Sequence, residues 1–258
     1  RFVMDWAERE RYHPEIAPGA GDRERVAIIG SGPAGLTAAH ALALKGFRPT
    51  IFEKLPSAGG MLVAGIPEHR LPRKVLGREI ADIEKTGVEI KLNTALGKDF
   101  TIDGLFAEGF KAVFIATGSW KSMPMGIPGE ESEGVLQSLE YLKSVNLGRP
   151  AAVGKRVCVV GGGNSAIDAA RVAIRDKACS KVTILYRRTK AEMPAFPEEV
   201  EAAIEEGVDI RFLAAPVKIL TKGGRVTGVE CIKMELGEKD ASGRRKPVPV
   251  PGSEFKVE

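Results

Sequence analysis

The chain has 258 residues, 43% of them hydrophobic and 28% charged, with 38 Lys+Arg against 34 Asp+Glu. That length suits one large or two modest domains with a proper core, and a net charge of +4 is modest beside the concentrated basic charge of nucleic-acid binders. Three scattered cysteines, Cys158, Cys179 and Cys231, exclude a disulfide scaffold, a CxxC redox pair and a cysteine-ligated iron–sulfur cluster within the chain.

No apolar run reaches the roughly 20 residues of a membrane span, and no signal peptide opens the chain, so an α/β protein of the cytoplasm is expected. Thirty glycines are the unusual count. The chain starts at Arg1 rather than Met, as a piece of a longer protein would.

Residues 1–21 read as a charged helical arm and a loop: Phe2, Val3 and Trp6 fall on one helical side, and Pro14, Pro18, Gly19 and Gly21 end the pattern. RVAIIG, from Arg25 to Gly30, is a short β-branched run suited to a buried parallel strand. SGPAGLTAAHALALKG follows with small and apolar residues at helical spacing, closed by Gly46, and RPTIFEK is a second strand, completing a β-α-β unit. Residues 54–72 carry Gly and Pro too often for a regular element and read as a long functional loop. A helix over 73–86, strands at VEIKLN and KAVFIATGS, and a helix around 135–145 come next. Gly148, Arg149 and Pro150 form a candidate hinge.

The pattern then restarts. KRVCVVGGGNSAIDAARVAIRD is a second strand, glycine loop and helix, and KVTILYRR is its second strand. Later, VDIRFLAAPVKILTKGGRVTGVECIKMEL alternates as strands do, with a hairpin at Gly223-Gly224. From Gly237 the chain is polar and proline-rich, ending at FKVE where another strand begins. The expected organisation is an arm over 1–21, one Rossmann-like domain over 22–150 and another over 151–258, their glycine loops in different sheets.

The first loop is Gly30-x-Gly32-x-x-Gly35, after a buried strand and opening a helix, where a dinucleotide fingerprint must sit. Gly30 permits the tight turn, Gly32 lets backbone amides approach a pyrophosphate, and Gly35 lets helix and strand pack closely. The phosphates would sit at the positive end of that helix. Glu53 ends the second strand, placed to accept hydrogen bonds from a ribose without a 2′-phosphate. The second loop is Gly161-x-Gly163-x-x-Ala166, an allowed variant. Where the first unit has Glu53, this one has Arg187 and Arg188, a guanidinium pair suited to the 2′-phosphate of NADP. The pairing suggests a flavin such as FAD that stays bound and an NADPH that comes and goes, with hydride passing between them. His13, His40 and His69 occur singly, and no nucleophile–base pair is evident.

Together, VAIIGSGPAGLTAAHALALKG with IFEK, AGGMLVAGIPEHRLP, FIATGS, and CVVGGGNSAIDAARVAIR with YRRTKAEMPAFPEE resemble the small (β) subunit of glutamate synthase. They are equally similar to the flavin domain of dihydropyrimidine dehydrogenase and the NADP-binding subunit of electron-bifurcating transhydrogenase. The resemblance runs from about residue 22 to nearly the end. It implies FAD with Ser31, Gly32, Pro33, Ala34 and Gly35 along its pyrophosphate, Glu53 and Lys54 at the adenosine ribose, and Gly60, Met61 and Arg70 beside the flavin half. Thr117 and Gly118 would make the second flavin-contacting turn. It implies NADPH on Gly162, Gly163, Asn164 and Ser165, with Arg187 and Arg188 at the 2′-phosphate, and electrons leaving to a partner subunit or iron–sulfur centres. Two departures are expected: no N-terminal cysteine-rich cluster domain, and an FAD domain lacking the C-terminal segment that returns to it.

Two other readings compete. A disulfide or thioredoxin-type reductase needs a proximal dithiol, which the cysteine spacing does not provide. A non-catalytic nucleotide-binding or assembly module is distinguished by flavin absorbance and its response to NADPH.

Overall fold

The run Arg25–Ile29 is too short and too rich in branched apolar residues for a helix, and it forms strand β1 near the centre of a parallel sheet. The computed structural model describes residues 6, 10, 22–149, 153–241 and 243–257. The expected arm therefore lies outside the described residues except for Trp6 and Glu10, as does the Pro150–Ala152 part of the expected hinge. Among the described residues the chain divides into two compact units. One runs to Val63 and resumes over Leu71–Ser119; the other holds Ala64–Arg70 and everything from Trp120.

In the first unit, β1 is followed by α1 (Pro33–Leu44) and β2 (Arg48–Phe52), then a single turn α2 beginning at Met61, α3 (Arg73–Lys85), β3 (Glu89–Lys91), α4 (Ile102–Ala107) and β4 (Ala112–Ile115). The sheet order is β3-β2-β1-β4, every pairing parallel, with Ile28 opposite Ile51 and Phe114. The period of two splits the core. Val26, Ile28 and Ile51 face Leu36, Ala39 and Ala43 of α1, whereas Ala27, Ile29 and Phe52 face Leu105 and Phe110. Small residues on the buried side of α1 let it lie close to the sheet. The short helix α2 interrupts the segment read as continuous loop, and α4, whose Thr101 side chain caps Gly104 N–H at 3.0 Å, went unread because its apolar face is only Ile102, Leu105 and Phe106.

The second unit begins its regular structure with α5 (Ser138–Asn146), then β5 (Arg156–Val160), α6 (Asn164–Ile174), β6 (Lys181–Tyr186), α7 (Pro197–Glu205) and β7 (Asp209–Phe212). Its parallel sheet is β5-β6-β7. β8 (Ala214–Lys222), β9 (Arg225–Lys239), β10 (Arg245–Pro249) and β11 (Phe255–Val257) make an antiparallel sheet in which β9 pairs with the other three. The expected hairpin turns at Gly223 and Gly224, both at positive φ. β10 forms within the segment whose sequence is polar and proline-rich. Pro247 and Pro249 are tolerated there because β10 is an edge strand.

The expected boundary near residue 150 falls inside this second unit. The reason is packing: α5 buries Tyr141 and Leu142 in one core with Ile167, Ala170, Val182, Ile184 and Val200. Asn146 also donates its side-chain amide to the carbonyls of Ala64 and Ile66, at 3.0 and 3.3 Å, attaching residues 64–70 to this unit.

Candidate functional site

The two glycine loops lie in separate parallel sheets, each between a first strand and the helix that follows it. Gly30 sits at φ +104, where a Cβ would stand 2.6 Å from the Ala116 carbonyl oxygen. A Cβ on Gly35 would come within 1.9 Å of the Gly30 oxygen, so the α1–β1 approach depends on its absence. The middle glycines differ: at both Gly32 and Gly163 nothing lies within 4 Å of an added Cβ. This is the open face a pyrophosphate needs.

Gly32 and Gly163 are also the N-caps of α1 and α6, both extended, and neither helix has a side-chain cap or an acidic residue in its first turn. By contrast α4 uses Thr101 and has Asp103, and α7 carries Glu198 and Glu199. Two helix starts therefore keep free N–H groups and an uncompensated positive dipole end, the arrangement that holds an anion. Pro33 and Ala34 are exposed at the start of α1, as is Ser165 in α6. The residues fit the two dinucleotides.

Glu53 is 3% exposed and does more than end β2. Its Oε2 accepts from Ser31 N–H at 2.9 Å and Ser31 Oγ–H at 2.6 Å, and its Oε1 accepts from Leu55 N–H at 2.8 Å. Ser31, fully buried, accepts in turn from Gly59 N–H at 3.1 Å on Oγ. The carboxylate thus joins the glycine loop to the 55–60 loop, and Gly60 is brought so near Gly32 that a Cβ would meet its Cα at 2.7 Å. Oε1 retains one lone-pair direction for a further hydroxyl. Lys54, Thr117 and Gly118 are exposed, Met61 is half-buried, and Gly118 takes φ +69. The buried Ser31 hub was not read from the sequence; a serine between two fingerprint glycines gives no signal of where its hydroxyl points.

In the second unit, Gly162 packs against the Tyr186 ring, 2.5 Å from where a Cβ would lie. The Tyr186 hydroxyl donates to the Glu192 carbonyl at 2.7 Å. Ala195 N–H donates to the Gly162 carbonyl, and Phe196 N–H to Asn164 Oδ1 at 3.0 Å. The EMPAFPEE segment therefore folds over the second glycine loop. Gly161 takes φ +133, and Ala166 is buried behind it.

Beyond Tyr186 the two arginines separate. Arg187 is exposed and, among the described residues, has no hydrogen-bonding or ion-pair partner. Arg188 is 5% exposed; its Nε donates to the Arg245 carbonyl at 2.6 Å and its Nη2 pairs with Asp240 at 2.8 Å. The expected paired fork is thus one solvent-facing guanidinium and one already committed to protein groups, because the β9–β10 turn lies over Arg188.

Arg70, expected beside the flavin half, belongs to the second unit. Its Nη1 donates to both Asp168 oxygens, at 2.9 and 2.8 Å, and its Nε lies 3.3 Å from Glu199. Buried Arg171 continues the network to Glu199 and Glu206, and Arg175 joins Glu206 at 2.5 Å. Burial pushes the Asp168 carboxyl up, opposed by Arg70. Desolvation, then Arg175 and Arg171, lower His69 to about 4. In GIPEHRLP, Arg70 is thus engaged by Asp168 on α6 and Glu199 on α7.

Cys158 and Cys231 share one core, where burial pushes their thiols up to about 12 and about 11. The reactive species would be a thiolate, so neither suits dithiol chemistry. Among the described residues no group of His, Cys, Asp and Glu could hold a metal ion.

Residues 24–243 match the family described as pyridine nucleotide-disulphide oxidoreductase. The chain is 51% identical over 257 residues to the NADP(+)-dependent formate dehydrogenase subunit beta of Moorella thermoacetica, covering 98% of this chain and 36% of that protein. It is 41% identical over 264 residues to the glutamate synthase [NADPH] small chain of Halomonas elongata (98% and 55%), in line with the resemblance read from the sequence. The chain thus spans about a third of the first of these relatives and just over half of the second. Among solved structures, Mycobacterium tuberculosis FprA in complex with NADPH superposes with a TM-score of 0.78 at 20% identity, covering 91% of this chain and 68% of that one; this likeness concerns the fold.

Proposed function

Because the chain belongs to the pyridine nucleotide-disulphide oxidoreductase family, we propose that it is the electron-input module of a flavoprotein oxidoreductase. NADPH binds the second glycine loop, FAD the first, and electrons leave to a partner subunit or iron–sulfur centre, as glutamate synthase small subunits would use them. The observation that carries this reading is a matched pair with one difference. Both loops present an open middle glycine at an uncapped, acid-free helix start, but the following strand ends in a carboxylate, Glu53, in one unit and in a solvent-facing cation, Arg187, in the other.

On this reading the α1 N–H groups behind Gly30 to Gly35 hold the FAD pyrophosphate, Glu53 Oε1 accepts from the adenosine ribose, and Lys54, Gly60, Met61, Thr117 and Gly118 line the remainder. Gly161, Gly162, Gly163, Asn164, Ser165 and Ala166 shape the NADPH loop. Arg187 takes the 2′-phosphate, a charge-assisted contact that NADH cannot offer. When bound, the flavin supplies the capacity to accept two electrons from a nicotinamide and release them singly. The chain's own residues supply binding, orientation and charge. Among the described residues no helix is long and apolar enough to cross a membrane, and the reading takes the cytoplasm as the compartment.

The test is anaerobic titration of the full-length protein, following flavin absorbance. NADPH should bleach it at lower concentration than NADH, and Arg187→Ala should raise the KM for NADPH about tenfold while leaving NADH nearly unchanged. A protein that retains no flavin, or whose flavin NADPH does not reduce, overturns the reading in favour of a non-catalytic assembly module.

A further inference from the structure

Arg188 poses a question that NADPH binding alone does not answer: why a guanidinium directly after β6 is buried rather than left in solvent. Its partners give the reason. Nη2 pairs with Asp240 at 2.8 Å and Nε donates to the Arg245 carbonyl at 2.6 Å, so it grips both ends of the turn joining β9 to β10. Asp240 organises the same turn: its carboxylate accepts from Arg244 N–H at 3.3 Å and its carbonyl accepts from Gly243 N–H at 2.8 Å. The backbone adds a second tie. Leu213 N–H donates to the Arg188 carbonyl and Met234 N–H to the Leu213 carbonyl, locking β9 beside the end of β6.

The turn carries Arg245, exposed and with no hydrogen-bonding partner for its guanidinium among the described residues. Arg188 fixes its backbone at the end of β6, through the 2.6 Å bond from Nε to the Arg245 carbonyl. Hydrogen bonds from Thr189 hold the Glu192 carboxyl below the usual range, and the Arg245 charge contributes to the same shift. The Arg245 backbone is thus held at Arg188, the residue between Arg187 and the 189–192 turn. The Glu192 carboxylate nearby is occupied by the Thr189 N–H and hydroxyl.

We propose that the β9–β10 turn is a second wall of the 2′-phosphate subsite, in which Arg245 is a specificity-determining cation alongside Arg187 and Arg188 is the positioning residue that holds the turn there. The proposal rests on the NADPH reading of the second glycine loop. A phosphate monoester dianion has oxygens for two guanidinium groups, and two cations from separate elements discriminate it from a neutral hydroxyl better than one exposed arginine does.

The test is isothermal titration of the full-length protein with 2′,5′-ADP and 5′-AMP, which differ by the 2′-phosphate. Arg245→Ala should weaken 2′,5′-ADP about tenfold and 5′-AMP by less than about twofold, with Arg245→Lys restoring part of the difference. Asp240→Ala, which keeps Arg245 but releases the turn, should lower the same ratio, and Asp240→Asn, which keeps an oxygen for Arg188, should recover much of it. If Arg187→Ala abolishes the preference while Arg245→Ala leaves the ratio unchanged, the turn is not part of the subsite, although the NADPH reading stands. If neither arginine affects it, the NADPH reading falls and this inference with it. An unchanged ratio in Asp240→Ala overturns the positioning role of Arg188.

Discussion

Replacing Glu53 with Gln tests how the first loop is built, independently of any ligand. In the native chain three donors converge on two carboxylate oxygens: Ser31 N–H and Oγ–H on Oε2, and Leu55 N–H on Oε1. An amide has one oxygen, so whichever way it is turned, its NH₂ faces at least one N–H or O–H donor. The residue is 3% exposed, and water cannot relieve the mismatch. The least costly arrangement keeps the Ser31 bonds and sacrifices Leu55 N–H. Leaving one buried donor unpaired costs about 1–3 kcal/mol, and turning two charge-assisted bonds into neutral ones costs about 1 kcal/mol each. The sum is about 3–5 kcal/mol, a large share of the stability of a domain. Equilibrium urea unfolding of the ligand-free protein, followed by far-UV circular dichroism, should show a lower midpoint with little change in slope. A loss below about 1 kcal/mol would refute the hub, since it falls short of the cost of even one unpaired buried donor.

Two further outcomes follow from the charge network of the second unit. Asp168→Ala leaves Arg70, among the described residues, with the 3.3 Å ion pair to Glu199, and should destabilise the protein by about 3 kcal/mol, the low end for breaking a buried pair because one partner remains; a urea midpoint matching the parent would contradict this. His69, lowered from 6.5 to about 4, binds a proton in the unfolded chain before it does in the folded one. Its contribution is therefore complete above pH 6.5 and is lost as pH falls toward 4. A His69→Gln variant should show a flatter decline in melting temperature across that window, and an identical decline would assign the acid sensitivity to other groups.

Local spacing was enough to locate both strand–glycine–helix openings, because the fingerprint is a short-range steric requirement. Gly30 must take a left-handed turn, Gly35 must lack a Cβ, and both demands are met by residues within six positions of each other. The same short range explains the hairpin at Gly223-Gly224 and the opposite charges of Glu53 and Arg187 at strand ends. Partnership over long range was not legible. Arg188 and Asp240 are 52 positions apart, and Arg70 and Asp168 are 98 apart. Nothing near Arg70 or Arg188 in sequence distinguishes an arginine reserved for a ligand from one that closes a buried ion pair. The division into units was not legible for a related reason: a Gly-Arg-Pro step looks like a hinge, but unit membership depends on which core receives Tyr141 and Leu142. The sequence alone located the two glycine loops proposed to hold dinucleotides, since such a loop depends on backbone shape and on charge at strand ends. Only the tertiary structure decided which arginines remain available to them, because availability depends on which distant carboxylates fold onto each guanidinium first.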